Sequence, residues 1–268
     1  MLGYANLDLS KAYKEHQVFG ELDEMIGFYD CVSNRSSYFL PSGIDVFPNY
    51  VSYYFISIQG TLDSIKTLLS IGRINDAFVL VRKIFDDVLT EIYLDVTLKD
   101  KFDIHKGIYV EEMQKWIHSS FRIPSLTKIL KTLETSIHTK DLFPFFGWKS
   151  YLDHNRHFLD DCVHANRYSS VLFNCNTIHL GDERERQLQN ISIVLKQLMM
   201  VHVSFIFYLE PKYMMASDYI DSLEVGGVPP EGADKWIAPF AQEAFDRYIK
   251  QNLKLASFIK RTCSLNID

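Results

Sequence analysis

Two apolar stripes at helical spacing, separated by one short break, set the limits on how this chain can fold. Val51, Tyr54, Phe55, Ile58, Leu62, Ile65 and Leu69 recur at intervals of three and four, and so do Ala77, Leu80, Val81, Ile84, Phe85, Val88 and Ile92. Side chains so spaced share one face of an α-helix, so each segment predicts a helix with one face turned to a core. Gly72 stands where the first helix must end, because glycine adopts the left-handed backbone of a helix cap at little cost. A break this short leaves the chain no course except to turn back, which predicts an antiparallel hairpin. Lys83, Asp87, Glu91 and Asp95 are expected along the solvent face of the second helix.

The same periodicity extends the helical reading to the rest of the chain. A shorter helix is predicted over 109–117, and Pro124-Ser125 opens another whose apolar face is Leu126, Ile129, Leu130, Leu133 and Ile137. Leu142-Phe-Pro-Phe-Phe-Gly reads as a rigid aromatic connection, and a helical pattern returns from Trp148 to Val163. Residues 168–180 read as a loop. A long helix over 182–209 ends at Pro211, which cannot continue it. Ser222 to Asp234, with Gly-Gly-Val-Pro-Pro-Glu-Gly, is the predicted loop before a final helical region through Ile237, Phe240, Phe245, Tyr248, Ile249 and Leu253. At the other end, Leu22, Met25, Ile26 and Tyr29 suggest one short helix before the turn signals Leu40-Pro-Ser-Gly and Phe47-Pro-Asn. The expectation is a single all-α domain, a bundle of long antiparallel helices over 49–209. An N-terminal arm over 1–48 precedes it, and a loop and C-terminal helical extension over 210–268 follow.

Charge and motif content exclude several classes. Lys+Arg 28 against Asp+Glu 34 gives a formal net charge of −6, the wrong balance for broad nucleic-acid affinity. No glycine-rich turn joins a strand to a helix, which argues against nucleotide binding of the P-loop or Rossmann kind. Cys31, Cys162, Cys175 and Cys263 are scattered, and a chain of 268 residues can bury enough surface to fold without disulfides. The start lacks a basic segment followed by an apolar run, so reduced thiols in a cytoplasmic protein are expected. Residues 191–209 are apolar, but Lys196, Gln197 and His202 are costly in hydrocarbon, so a core helix is expected there and no membrane partner.

Ionisable groups concentrate between Asp153 and Arg167. On a helix Asp153, His157, Asp160, Asp161 and His164 fall on one side, and the pairs His157/Asp161 and Asp160/His164 have the spacing that can chelate a metal. A polar stripe facing water explains the same residues. Distant ligands would have to come from His105, Glu111, Glu112, His118 or His138, and no second cluster of like density occurs, so neither a metal nor another cofactor is expected. Earlier in the chain, Arg82 and Asp86 have the four-residue spacing of an intrahelical ion pair beside the apolar stripe. Cys162 and His164 point in different directions on a helix, so Cys162 reads as a structural thiol rather than a nucleophile.

Two of these segments resemble the HEPN superfamily, small helical proteins of bacterial toxin, abortive-infection and CRISPR-associated systems. Leu80-Val-Arg82-Lys-Ile-Phe-Asp86 is similar to a Leu-x-Arg-x-x-x-acid helix of HEPN-like families, and the segment from Arg156 through His164 to Asn166 to the later helix that ends in His and a small polar turn. The resemblance covers about 49–209. It implies a metal-independent RNase in which His164 assists attack by a ribose 2′-hydroxyl and Arg156 holds the phosphate, with Arg82, Asp86, His157, Asp160, Asn166 and Arg167 around the bound RNA. The family's nuclease motif places four to six residues between Arg and His, whereas seven separate Arg156 from His164. Eight positions turn two side chains about eighty degrees apart on a regular helix. Convergence therefore requires a helix break near Val163, or an arginine such as Arg82 or Arg167 from elsewhere or from a second copy. The alternative is a non-catalytic helical interaction module of a defence system that binds a partner protein. In either case the apolar helices are expected to mediate homo-oligomerisation.

Overall fold

The Gly72 break forms the turn that its sequence requires. In a computed structural model, which describes residues 9–37, 49–102, 110–148, 152–175, 178 and 180–268, helix α1 spans Lys11–Lys14, α2 Val18–Arg35, α3 Tyr50–Ser70 and α4 Ile74–Lys101. Gly72 adopts φ +73° between α3 and α4. Its N–H donates to Leu69 O at 2.9 Å and the Arg73 N–H to Leu68 O at 2.8 Å, the paired bonds that satisfy the last carbonyls of a helix. The two helices then pack along one another as a hairpin. After them come α5 (Glu111–Ile117), α6 (Leu126–Thr135), α7 (Asp153–Val163), α8 (Tyr168–Leu172), α9 (Glu183–Leu209), α10 (Asp218–Glu224), α11 (Pro239–Ala244) and α12 (Leu253–Thr262). Among the described residues there are no strands, only the isolated bridges Met215–Ile237 and Trp236–Asn266. The fold is all-α.

Helix α4 is the axis of the bundle. It packs against α3, α6, α7 and α9, and its residues Ile84, Val88 and Ile92 share one core with Leu195 and Leu198 of α9. Leu80 lies at the margin of that core, partly buried. Enclosure on several sides overturns the expected solvent stripe. Lys83 is exposed and Asp87 half-buried, but Glu91 is 1% exposed and Asp95 5%.

Helix α2 runs 18 residues, well beyond the short helix expected, because Val18, Leu22, Met25, Phe28, Tyr29 and Val32 form a continuous face buried against α3 and α9. The chain start and the turn signals at Leu40-Pro-Ser-Gly and Phe47-Pro lie outside the described residues. The aromatic connection forms a 3₁₀ turn over Phe143–Phe146 closed by Gly147, with Phe143 stacked on Trp148 at 4.9 Å between ring centres. Residues 168–172, expected as loop, form helix α8, and α10 enters the segment expected as loop from Ser222. Ile137 and Leu253, counted with apolar faces above, are instead 71% and 78% exposed, because α6 ends at Thr135 and Leu253 opens α12. The chain leaves α11 through a π-helical turn, Phe245–Ile249.

Candidate functional site

Helix α7 is held on α4 by an aromatic contact and a ladder of ion pairs. Phe158 meets Phe78 edge-on at 5.1 Å between ring centres. Beside that contact the Arg82 Nε–H donates to Asp160 Oδ1 at 2.6 Å, and the same guanidinium pairs with Asp86. Arg156 donates from Nη1 to Asp160 Oδ2 at 3.0 Å and from Nε and Nη2 to Asp153 Oδ1 at 3.1 Å. Asp160 thus bridges two arginines, and the order Asp153–Arg156–Asp160–Arg82–Asp86 ties one helix to the other. Burial disfavours charge on Arg82, but Asp86 and Asp160 outweigh it and hold the guanidinium above its ordinary value. His157 lies at the edge of this ladder, its Nδ1 2.7 Å from the Asp153 carbonyl oxygen and its Nε2 3.2 Å from Arg156 Nη2. Those partners fit a ring whose Nδ1–H donates to the carbonyl and whose Nε2 accepts from Arg156.

A second group forms where α7 ends. The Arg167 Nε–H donates to Asp161 Oδ2 at 2.8 Å, and the Asn166 amide to Asp161 Oδ1 at 3.2 Å. The Asn166 amide, with Arg167 after it, holds the Asp161 carboxyl below the usual carboxylate range. His164 is the C-cap of α7, and Ala165 turns left-handed at φ +50°. The Asn166 N–H then reaches back to Asp161 O at 3.0 Å and closes the helix. The break that an Arg156–His164 pair would need is therefore present. The arginines are not free to use it, since Arg82, Arg156 and Arg167 are each held by aspartates. The exposed His164 side chain makes no hydrogen bond among the described residues.

Neither chelating pair read from the sequence forms as a ligand set, because Asp160 and Asp161 are both committed to arginines. Among the described residues no group of three or more His, Cys, Asp or Glu side chains is placed to hold a metal. Of the distant candidates, Glu111 pairs with Lys115, Glu112 with Lys101 and His138 with Asp100, while His105 lies outside the described residues. None of the four cysteines forms a disulfide, and burial pushes the Cys162 thiol up, away from nucleophilic reactivity. Behind the ladder is a cavity of about 260 Å³ lined by Phe78, Phe158, Cys162, Arg167, Phe173 and Leu180. Tyr168, 79% exposed, and Val171, 53% exposed, lie three positions apart on α8 beside it.

A further polar cluster lies in the core, and the sequence reading missed it. The Tyr29 hydroxyl lies 2.7 Å from His202 Nδ1, and His202 Nε2 lies 3.0 Å from Glu91 Oε2. Asp95 follows Glu91 by one turn of α4, both side chains buried, and the Tyr50 hydroxyl donates to Asp95 Oδ1 at 2.5 Å. Burial, with Glu210 adding repulsion, drives the Glu91 carboxyl up to about 8. Burial, Glu91 and Glu210 push Asp95 well above the carboxylate range, and burial drives His202 down to about 3. The signal that could have found this cluster is its neighbours. Val88-Leu-Thr-Glu-Ile-Tyr-Leu-Asp-Val96 is apolar nearly all round, which marks a helix segment enclosed by protein. Compared with protein-family models, curated proteins and solved structures, the chain finds no match.

Proposed function

We propose that this is a HEPN-like helical protein whose Arg–His motif joins helices instead of cutting RNA, and that it serves as a non-catalytic interaction module of a bacterial defence or toxin-type system. The observation that carries this reading is the ion-pair ladder. Holding a phosphodiester takes cations with donors to give, and a carboxylate already occupies each guanidinium near His164. Asp86, Asp153, Asp160 and Asp161 face Arg82, Arg156 and Arg167, which leaves the group one negative charge in excess. An RNA phosphate would meet repulsion there rather than a basic cleft. The exposed Tyr168 and Val171 beside an aromatic cavity instead offer an apolar anchor point for a protein partner.

One observation favours the metal-independent RNase as a second reading. His164 stands exposed at the end of α7 with its imidazole uncommitted, open to an arginine from a second copy of the chain. The two readings separate in one experiment, incubation of single-stranded RNA with wild type and His164→Ala in the presence of a chelator. Neither protein is expected to cleave above the blank. Cleavage by wild type that disappears in a folded His164→Ala variant would replace the module with the nuclease. The ladder has its own readout. Asp160→Asn is expected to lower stability by about 1–3 kcal/mol, as for a partly buried charge-assisted pair, without creating RNase activity.

A further inference from the structure

We propose that Glu91 and Asp95 hold a shared proton inside the fold, and that this makes the junction of α2, α3, α4 and α9 a clasp that rising pH releases. The case starts from donors and acceptors. A carboxylate only accepts, so two side-by-side carboxylates cannot hydrogen-bond unless one is an acid. Glu91 Oε2 has His202 as its neighbour, while Oε1 is buried without a donor among the described groups. Asp95 supplies one only when protonated. With the proton on Asp95 the chain closes in one direction. Tyr50 donates to Asp95, His202 Nε2–H to Glu91 and Tyr29 to His202 Nδ1, and the acid proton of Asp95, one helical turn from Glu91, is left for the donorless Oε1 of Glu91. Without that proton two negative charges lie together out of contact with water, a cost the surrounding groups do not offset.

Among the described residues, those surroundings are short of positive charge. Tyr29 faces the cluster from α2, Tyr50 and Tyr54 from α3, Asp87 and Lys99 from α4, and His202 and Glu210 from α9 and its end. Tyr213 of the turn after α9 also faces Tyr50, and Tyr248 of the π-helical turn faces Tyr29. Lys99, the cation facing Asp95, is paired with Glu210 at 2.8 Å, and Lys212 holds the other oxygen of Glu210 at 2.8 Å. Neutralisation inside the cluster is left to the proton.

The consequence has a definite sign. The unfolded chain ionises both carboxyls in the ordinary acid range, whereas burial holds Asp95 well above that range and Glu91 up to about 8, so folding takes up at least one proton. This contribution is complete below about 4.5, and it is lost as pH rises through the native value near 8. His202 works the other way. It is buried neutral, and its contribution is lost as pH falls from the ordinary imidazole range toward about 3. Between roughly pH 6.5 and 8.5 the carboxyl pair alone among these groups slopes the stability.

The test is denaturant unfolding of the full chain at three pH values across that window, for wild type, Glu91→Gln and Asp95→Asn. The wild-type unfolding constant is expected to rise toward tenfold per pH unit for each retained proton. Asp95→Asn, whose amide still offers Glu91 a donor, and Glu91→Gln are each expected to flatten the slope. Should neither variant fold, calorimetric unfolding of wild type at pH 7.5 in two buffers of different ionisation enthalpy counts the protons directly. Release of about one proton or more per molecule supports the clasp. A wild-type slope of zero with no proton released overturns it, and so does a slope that both folded variants keep.

Discussion

Ala165 occupies a backbone conformation that glycine takes freely and alanine does not. Its φ of +50° closes α7 just after His164, the same role that Gly72 fills after α3 at φ +73°. The left-handed region costs a Cβ-bearing residue about 1–2 kcal/mol, because the Cβ crowds the following carbonyl oxygen. Ala165→Gly removes that strain but gives the unfolded chain more freedom, a loss of about 0.4–1 kcal/mol. The expected outcome is a net gain of roughly 0.5–1 kcal/mol by urea denaturation, and a loss of stability would contradict the geometry. At this scale the sequence was legible only within one helix. The Arg82–Asp86 pair follows from a spacing of four, but Arg82 meets Asp160 across 78 positions of chain, a distance no periodicity spans.

Helix α4 shows where local pattern suffices and where it fails. Its apolar stripe and the Gly72 cap are properties of neighbouring residues, so the hairpin with α3 could be read directly. How many faces of α4 are covered is set by α6, α7 and α9, which lie far along the chain, and for that reason Glu91 and Asp95 were read as solvated. The ends of α2 and the existence of α8 escaped for the same reason, since packing rather than propensity fixes them. Ile84 tests the central position of α4. It is 2% exposed and shares its core with Val88 and Leu195. Ile84→Ala is expected to cost about 2–5 kcal/mol, the lost transfer energy plus an unfilled cavity. A loss under about 0.5 kcal/mol, typical of a surface position, would show that α4 is not the axis of the bundle.

For the molecule as a whole, the decisive element is α9, whose length and composition would allow it to cross a membrane. Its surroundings argue for a protein interior instead, since 72% of the most apolar window is buried against the other helices. Its polar side chains also have partners on those helices. His202 lies between Tyr29 of α2 and Glu91 of α4, the Ser192 hydroxyl donates to Glu21 Oε2 at 2.5 Å, and Lys196 pairs with Glu21 at 2.5 Å. Moving α9 into lipid would break all of these contacts and leave Lys196 in hydrocarbon, at about 2.5–3.5 kcal/mol for that side chain alone near the bilayer centre. It would also take Leu195 and Leu198 out of the core they share with Ile84, Val88 and Ile92 of α4. The chain expressed without detergent is therefore expected in the supernatant of a high-speed spin. Recovery of the full-length chain in the membrane pellet after an alkaline wash, which strips peripheral proteins, would mean that α9 leaves this bundle for the bilayer.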